Sequence, residues 1–187
     1  EYHNDVCDGV TMNLNIGREP RFYAWVAFQN GYYEVMKRNS ADPEAKVVKT
    51  QFRKNDEFGI KARTTNYSPT GYLNKKGCSP LYDNIQENVP APHYPWPVIR
   101  MAELYLNLAE AEANLGNIDS AVEALKPVRK RAGLPSVDAA FATAGLTLDK
   151  AAMIRMVKQE RTVELYLEGH RFWDVRRWKE GEKYFNH

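Results

Sequence analysis

Apolar residues in the second half of the chain recur at the three- and four-residue spacing of amphipathic helices. The first such pattern covers residues 98–115, and its apolar positions are Met101, Leu104, Tyr105, Leu108, Ala111 and Leu115. Gly116 ends it, and a second helix is predicted over 119–132. A third helix is predicted over 148–167, where it would pack against this antiparallel pair, and a short one over 170–179. The second half is therefore predicted to be helical.

The first half, residues 1–97, has the pattern of loops and short strands. The run from Phe22 to Phe28 is rich in aromatic and β-branched residues, and Asn30-Gly31 follows it as a turn signal. Residues 32–35 can then return as a second strand, which predicts a short β-hairpin. Prolines and glycines interrupt much of the remaining sequence before residue 97 and exclude a long helix there.

Composition excludes several classes of protein. The chain has 187 residues, 43% hydrophobic and 27% charged, which indicates a folded domain rather than a disordered chain. No apolar run approaches the ~20 residues of a membrane-spanning helix. A net charge of +2 gives no strong field for nucleic acid. The two cysteines, Cys7 and Cys78, have no CxxC pattern, and the four histidines are scattered, so no metal or other cofactor is predicted. A disulfide between the two cysteines stays open.

The turn between the first two predicted helices resembles that of a helical repeat. Residues 115–121 (LGNIDSA), followed by Ala124-Leu125, resemble the turn and second helix of a tetratricopeptide repeat. An ordinary helical hairpin is the alternative. We therefore predict a mainly α fold of tetratricopeptide-like helix pairs with long loops and a short β-hairpin. Residues 1–97 would be the loop- and hairpin-rich portion and 98–187 the helical portion of one domain.

A row of carboxylates near the end of the third helix is the strongest local signal. Glu160, Glu164 and Glu168 follow one another at i, i+4 spacing, and like charges in such a row need facing cations. The candidate cations are Arg161, Arg171 and Arg177, and Asp174 lies three residues from both Arg171 and Arg177, where it can pair with them. A solvated charged face is one alternative, but aromatic residues interleave with the arginines. A glycosidase pair of carboxylates is another, but surrounding arginines disfavour a general acid. A structural ion-pair network is the interpretation that we favour.

Five motifs in order resemble one known family. They are 18–23 (REPRFY, with glutamate for the usual aspartate of "DPRFY"), 68–76 (SPTGYLNKK), 96–111 (WPVIRMAELYLNLAEA), 128–135 (VRKRAGLP) and 160–178 (ERTVELYLEGHRFWDVRRW). In this respect the chain is similar to the SusD/RagB-like glycan-binding lipoproteins of Bacteroidetes-type outer membranes. The motifs span most of the chain.

The resemblance implies a protein without catalytic activity. Members of this family are lipoproteins at the outer-membrane surface that bind oligosaccharides and deliver them to a SusC-like, TonB-dependent transporter. The chain would be the middle-to-C-terminal portion of such a protein, and the lipid anchor, the only expected membrane contact, would lie outside it. A helical-repeat scaffold for protein–protein interaction, with no sugar site, is the alternative function.

Aromatic residues are the natural candidates for sugar contacts, because flat rings stack on the C–H faces of sugars at little cost in entropy. The candidates in the turn-rich first half are Trp25, Tyr32 and Tyr33. The sugar-binding residues of the family carry no motif, so none is assigned by resemblance. Core packing is the competing use of Trp25.

Overall fold

The computed structural model describes residues 7, 9–34, 47–61, 65, 67–78 and 97–185. The chain divides into two compact units, 1–95 and 96–187. The described part is mainly helical with a few short strands, so the predicted fold class is confirmed. The arrangement of the helices is compatible with tetratricopeptide-like pairs. Among the described residues, no helix combines the length and apolar character needed to cross a membrane.

The first unit contains short elements only. They are a 3-10 turn at Asn13–Asn15, helix α1 (Pro20–Trp25), and strands β1 (Val26–Ala27), β2 (Tyr32–Glu34), β3 (Val47–Lys49) and β4 (Leu73–Asn74). Strand β1 pairs with β4 and β2 pairs with β3, both in antiparallel register. Cys7 and Cys78 are free thiols.

The strand predicted over residues 22–28 is wrong, because most of this run is helix α1. Pro20 occupies the first helical turn, where its fixed φ suits a helix and its missing N–H costs no hydrogen bond. A short apolar run has no distinctive period, so aromatic enrichment alone favoured the wrong element. The rings of Phe22 and Tyr23 pack against Phe28 at centroid distances of 5.6 and 5.9 Å, respectively.

The hairpin predicted across Asn30-Gly31 is also wrong, since the strands on either side of this turn pair elsewhere. The backbone of Thr50 forms hydrogen bonds with both turn residues. The N–H of Asn30 donates to the carbonyl of Thr50 at 2.7 Å, and the N–H of Thr50 donates to the carbonyl of Gly31 at 2.9 Å. A Cβ at Gly31 would lie 2.9 Å from the ring of Phe28. Gly31 therefore allows a close approach of backbone and ring, and β2 pairs with β3 rather than with β1.

The second unit is a helical layer. Its helices are α2 (Met101–Leu115), α3 (Ile118–Arg131), α4 (Val137–Thr143), α5 (Lys150–Glu164), α6 (His170–Arg177) and α7 (Gly181–Phe185). Helices α2 and α3 form a hairpin whose turn begins at Gly116, with φ 91°, a conformation that favours glycine. Both pack against α5. The predicted helix pair and its third helix are thus confirmed, although α2 starts at Met101 because Arg100 has an extended backbone.

The core of this unit lies between α2, α3 and α5. Its fully buried members include Leu106, Ala109 and Ala113 of α2, Leu125 of α3 and Met153 of α5. Alanines on α2 let the neighbouring helices approach closely, and larger aliphatic side chains fill the remaining space. This core fixes the positions of the buried charges described next.

Candidate functional site

Two glutamates of α5 are buried among the helices. The side chains of Glu160 and Glu164 are 1% and 0% exposed, respectively. Glu168 lies beyond the end of α5, in the turn before α6, rather than on the same helix as predicted. The expected single row is thus two helical glutamates followed by one in a turn.

Glu160 joins α5 to α3. Its Oε2 accepts a hydrogen bond from Nη1 of Arg129 at 2.6 Å, and Nε of Arg129 donates to the carbonyl of Pro135 at 2.7 Å. The Arg129 side chain is only 7% exposed, so this ion pair is shielded from water. Buried pairs of this kind fix the relative position of two helices, because separating them leaves an uncompensated charge.

Arg100 and Arg131 share the carboxylate of Glu164. Nη1 of Arg100 donates to Oε1 at 3.1 Å, and Arg131 binds the other oxygen. Nε and Nη2 of Arg100 also donate hydrogen bonds to the carboxylate of Glu168, at 2.9 and 2.6 Å, respectively. These bonds to Glu168, helped by Glu164 and opposed by burial, raise the pKa of Arg100. The start of α2 is thereby tied to the end of α5 and to the turn after it.

Arg161 is the centre of a second cluster. Its Nε donates to Oδ2 of Asp174 at 2.7 Å and its Nη1 donates to Oδ1 of Asn107 at 2.6 Å. The side chains of Arg161 and Asp174 are 5% and 4% exposed, respectively. Arg177 binds the other oxygen of Asp174 at 2.9 Å and also pairs with Glu110. The cluster joins α2, α5 and α6.

Arg171 does not take part in either cluster, contrary to the expected pairing with Asp174. Its Nη1 donates to Oγ1 of Thr162 at 3.1 Å, and its guanidinium lies 4.3 Å from the ring centroid of Tyr184. The physical reason is that Asp174 already accepts from Arg161 and Arg177 on its two oxygens. Among the described residues, Arg171 forms no ion pair with a carboxylate.

Five partners in these clusters were missed by the sequence reasoning, namely Arg100, Asn107, Glu110, Arg129 and Arg131. A usable signal existed for Arg129, which follows Leu125 by four residues and Val122 by seven and so lies on the apolar face of α3. A cation on an apolar face needs a buried counter-charge. The others depend on tertiary contacts that spacing along the chain does not encode: Arg100, Asn107 and Arg131 contact α5, and Glu110 contacts α6.

Acidification is expected to remove the stabilisation contributed by Glu110. Burial alone would raise the pKa of Glu110, but hydrogen bonds from Arg177 and Trp178 outweigh it and lower the pKa below its usual 4.5. A depressed pKa in the folded state contributes stability that is present above about pH 4.5 and is lost as the pH falls through the folded value. In urea unfolding, the difference in the free energy of unfolding between the parent and Glu110→Gln should be smaller at acid pH than at neutral pH. A difference that does not change with pH would contradict this prediction.

Trp25, the first candidate for a sugar contact, is half-buried at the end of α1. The ammonium of Lys76 lies 4.2 Å from its ring centroid and the guanidinium of Arg21 lies 6.0 Å from it. Both distances are those of cation–π contacts. A sugar stacking on the ring would have to displace or share at least one of these cations.

Lys75 connects Trp25 with Tyr32. Its backbone N–H donates to the carbonyl of Trp25 at 2.8 Å, and its Nζ donates to the carbonyl of Tyr32, also at 2.8 Å. Tyr32 and Tyr33 are both half-buried and adjacent on β2, so their side chains lie on opposite faces of the strand. Lys75 therefore contacts the backbone of two of the three candidates, while Tyr33 is directed away from Tyr32.

Among the residues that the structure describes, no group of three or more histidine, cysteine, aspartate or glutamate side chains could hold a metal ion.

Tyr72 and Tyr23, two further aromatic residues of the first unit, each donate a hydrogen bond of 3.0 Å from their hydroxyl group to buried Asn15. Their hydroxyl groups therefore serve internal packing.

Comparisons with known proteins agree with the motifs. The sequence model of the SusD family matches residues 3–187. Two structures of BT4246, one of them as the selenomethionine protein, are 37% and 38% identical, with TM-scores of 0.73 and 0.74. The alignments cover 96% and 95% of this chain, in the same order, and 30% of each BT4246 chain.

A SusD-like protein (BF3747) from Bacteroides fragilis NCTC 9343 is 28% identical, with a TM-score of 0.67 over 89% of this chain and 29% of that one. No protein in the curated set matches the chain. The chain thus spans less than a third of the length of these related structures. The family match over nearly every residue, together with these folds, shows that the chain belongs to the SusD family.

Proposed function

We propose that this chain is part of a non-catalytic protein that binds oligosaccharides at the cell surface and delivers them to a SusC-like, TonB-dependent transporter. The observation that carries the proposal is the match of the SusD family over residues 3–187, because this family is known for glycan-binding surface proteins. The protein would be a lipoprotein at the surface of the outer membrane.

The buried carboxylates support a binding protein rather than a glycosidase. A glycosidase needs two carboxyl groups that flank a bond of the sugar and reach it from an open cleft. Glu160 and Glu164 are instead closed off among helices and bound by arginines. Both carboxylates join helices, and their almost complete burial keeps them from a substrate in an open cleft.

The sugar contacts that we propose in this chain are aromatic residues of the first unit. Tyrosine and tryptophan rings combine a flat apolar face with a polar edge, which matches the alternating C–H and hydroxyl surface of a sugar. Lys76 beside the ring of Trp25 would add a donor for hydroxyl groups. We propose Trp25, Tyr32 and Tyr33 as the stacking candidates.

Truncating the correct ring should weaken sugar binding without unfolding the protein. We expect at least one of Trp25→Ala, Tyr32→Ala and Tyr33→Ala to melt like the parent and to bind the polysaccharide roughly 10-fold more weakly, a loss of about 1.4 kcal/mol in binding free energy, because the variant lacks the stacking ring. Calorimetric titration of the complete protein measures the affinity, and thermal melting checks the fold. Phe185→Ala, which removes an exposed ring of the second unit, is the matched control and should bind normally.

Parental affinity in all three variants would place the sugar contacts outside this chain. The alternative function, a protein-binding helical scaffold, predicts that no polysaccharide binds at all. Purification of the complete protein from its native membrane tests the interaction with the transporter. A SusC-like protein should copurify with the complete protein. Absence of both glycan binding and transporter would overturn the proposal.

A further inference from the structure

Asn30 and Gly31, in the turn before β2, form a chemically labile pair. An asparagine side chain is lost when the backbone nitrogen of the next residue attacks its amide carbon, and glycine leaves that approach open because it has no Cβ. Asn30-Gly31 is the only Asn-Gly pair in the chain. Every other asparagine precedes a residue with a side chain, which hinders the same attack.

The side chain of Asn30, the group that would be attacked, is held inside the fold. Its Nδ2 donates to the carbonyl of Val10 at 2.6 Å, and its Oδ1 accepts from Nε2 of Gln51 at 3.3 Å. Asn30 is 6% exposed, and its φ of 60° lies in the left-handed region. The nitrogen that would leave as ammonia is therefore bonded to the backbone and shielded from water.

The attacking nitrogen, that of Gly31, is engaged as well. Its N–H donates to the carbonyl of Phe28 at 2.9 Å, and an amide nitrogen attacks only after it has lost its proton. The hydroxyl group of Thr50 closes the turn, because it lies 2.7 Å from the carbonyl oxygen of Phe28 and 3.0 Å from that of Gly31. Both reacting groups are thus blocked in the closed turn, and the reaction requires local opening.

We propose that Asn30 is a site of spontaneous deamidation whose rate is controlled by the opening of this turn. In the open turn, the nitrogen of Gly31 loses its proton and forms a bond to Cγ of Asn30. The bond from Cγ to Nδ2 then breaks, and ammonia leaves with that proton. Water opens the resulting succinimide ring at either carbonyl, which leaves aspartate or isoaspartate at position 30. Water is the only co-reactant, nothing is oxidised or reduced, and the inference does not depend on sugar binding.

Neither product allows the turn to close as before. Isoaspartate adds a methylene group to the main chain, which displaces the backbone hydrogen bonds between the turn and Thr50. Aspartate replaces Nδ2, the donor to Val10, with an oxygen that only accepts, so two acceptors face each other in a nearly buried position. Deamidated protein, separated by ion exchange, should therefore melt at a lower temperature than the parent. An unchanged melting temperature would contradict this step.

Incubation of the complete protein at mildly alkaline pH, followed by peptide mass spectrometry, measures the rate at Asn30. We expect the folded protein to react on the order of 10-fold more slowly than the protein unfolded in guanidinium chloride, because the closed turn reacts only on local opening. In the unfolded protein, Asn30 should react before every other asparagine. Equal rates in the folded and unfolded protein would overturn the control by the turn, and an unfolded chain that keeps Asn30 intact would overturn the site itself.

Thr50→Val tests whether this turn controls the rate. Valine keeps the shape of the side chain and removes the hydroxyl group, while the carbonyls of Phe28 and Gly31 each keep a backbone donor. The folded variant should deamidate at Asn30 roughly 5-fold faster than the parent, because the turn has lost a side-chain hydrogen bond.

Thr143→Val is the matched control for this variant. The hydroxyl group of Thr143 also donates to a backbone carbonyl, that of Ala139 in α4 of the second unit, so its loss should leave the rate at Asn30 unchanged. Thermal melting checks that both variants are folded. No acceleration in Thr50→Val, or equal acceleration in both variants, would overturn the proposal that the turn controls the reaction.

Discussion

Replacing Arg161 with alanine is expected to lower the free energy of unfolding by about 3–5 kcal/mol, because it removes one partner from a buried ion pair. Asp174 would lose its 2.7 Å hydrogen bond from Arg161, and Asn107 would lose one of 2.6 Å. Arg177 stays on the other oxygen of Asp174, but it is 44% exposed and cannot fill the vacated space between α5 and α6. Urea unfolding at neutral pH measures the difference.

The same helix offers a matched control. Arg155 also lies on α5 but is exposed, so Arg155→Ala should change stability by about 0.5 kcal/mol or less. Arg171→Ala should fall between the two, since Arg171 contacts a hydroxyl group and a ring instead of a buried carboxylate. Equal unfolding midpoints for Arg161→Ala and Arg155→Ala would contradict the structural role of the cluster.

A double-mutant cycle with Asp174→Asn separates the ion pair from the rest of the cluster. If Arg161 acts mainly through Asp174, the double variant should be much more stable than the sum of the single losses predicts. Additive losses would instead indicate that Asn107 and packing carry the effect. The cycle therefore tests the specific contact as well as the burial of the charge.

Long helices were predictable from the sequence because their periodicity extends over several turns. Apolar residues in helices α2, α3 and α5 recur at three- and four-residue spacing, and Gly116 marks the turn between α2 and α3. The short helices α4 and α7 have five to seven residues, too few for a period to stand out. At α1, the helix-starting property of Pro20 outweighed the aromatic enrichment that favoured a strand.

Of the two ion-pair clusters, the sequence predicted the carboxylates but not most of the arginines that pair with them. The glutamates of α5 and the aspartate of α6 form a pattern along the chain, so the need for facing cations could be inferred. Which arginines meet them depends on packing: Arg100 approaches from the start of α2 and Arg129 from the end of α3. The pairing of Arg171 was wrong for the same reason, because neighbours in sequence compete with cations that packing brings in.

Replacing Leu106 with alanine is expected to destabilise the protein by about 2–5 kcal/mol, through lost apolar burial and the cavity left behind. Leu106 is 0% exposed and belongs to the core shared by α2, α3 and α5. Its neighbours Ala109 and Ala113 are already small, so they cannot extend into the vacated space. Helix backbones held together by the buried ion pairs should resist collapse around the cavity, which places the loss toward the upper end.

Leu146→Ala removes the same atoms from a residue that is 61% exposed, between α4 and α5, and should cost about 0.5 kcal/mol or less. Comparing the two variants in urea therefore separates burial from side-chain chemistry. If Leu106→Ala and Leu146→Ala unfold at the same denaturant concentration, the interface between α2 and its neighbours is not the stabilising core. If only Leu106→Ala lowers the free energy of unfolding, the face of α2 that packs against α3 and α5 stabilises the protein. The positions of the ion-pair clusters then depend on this core.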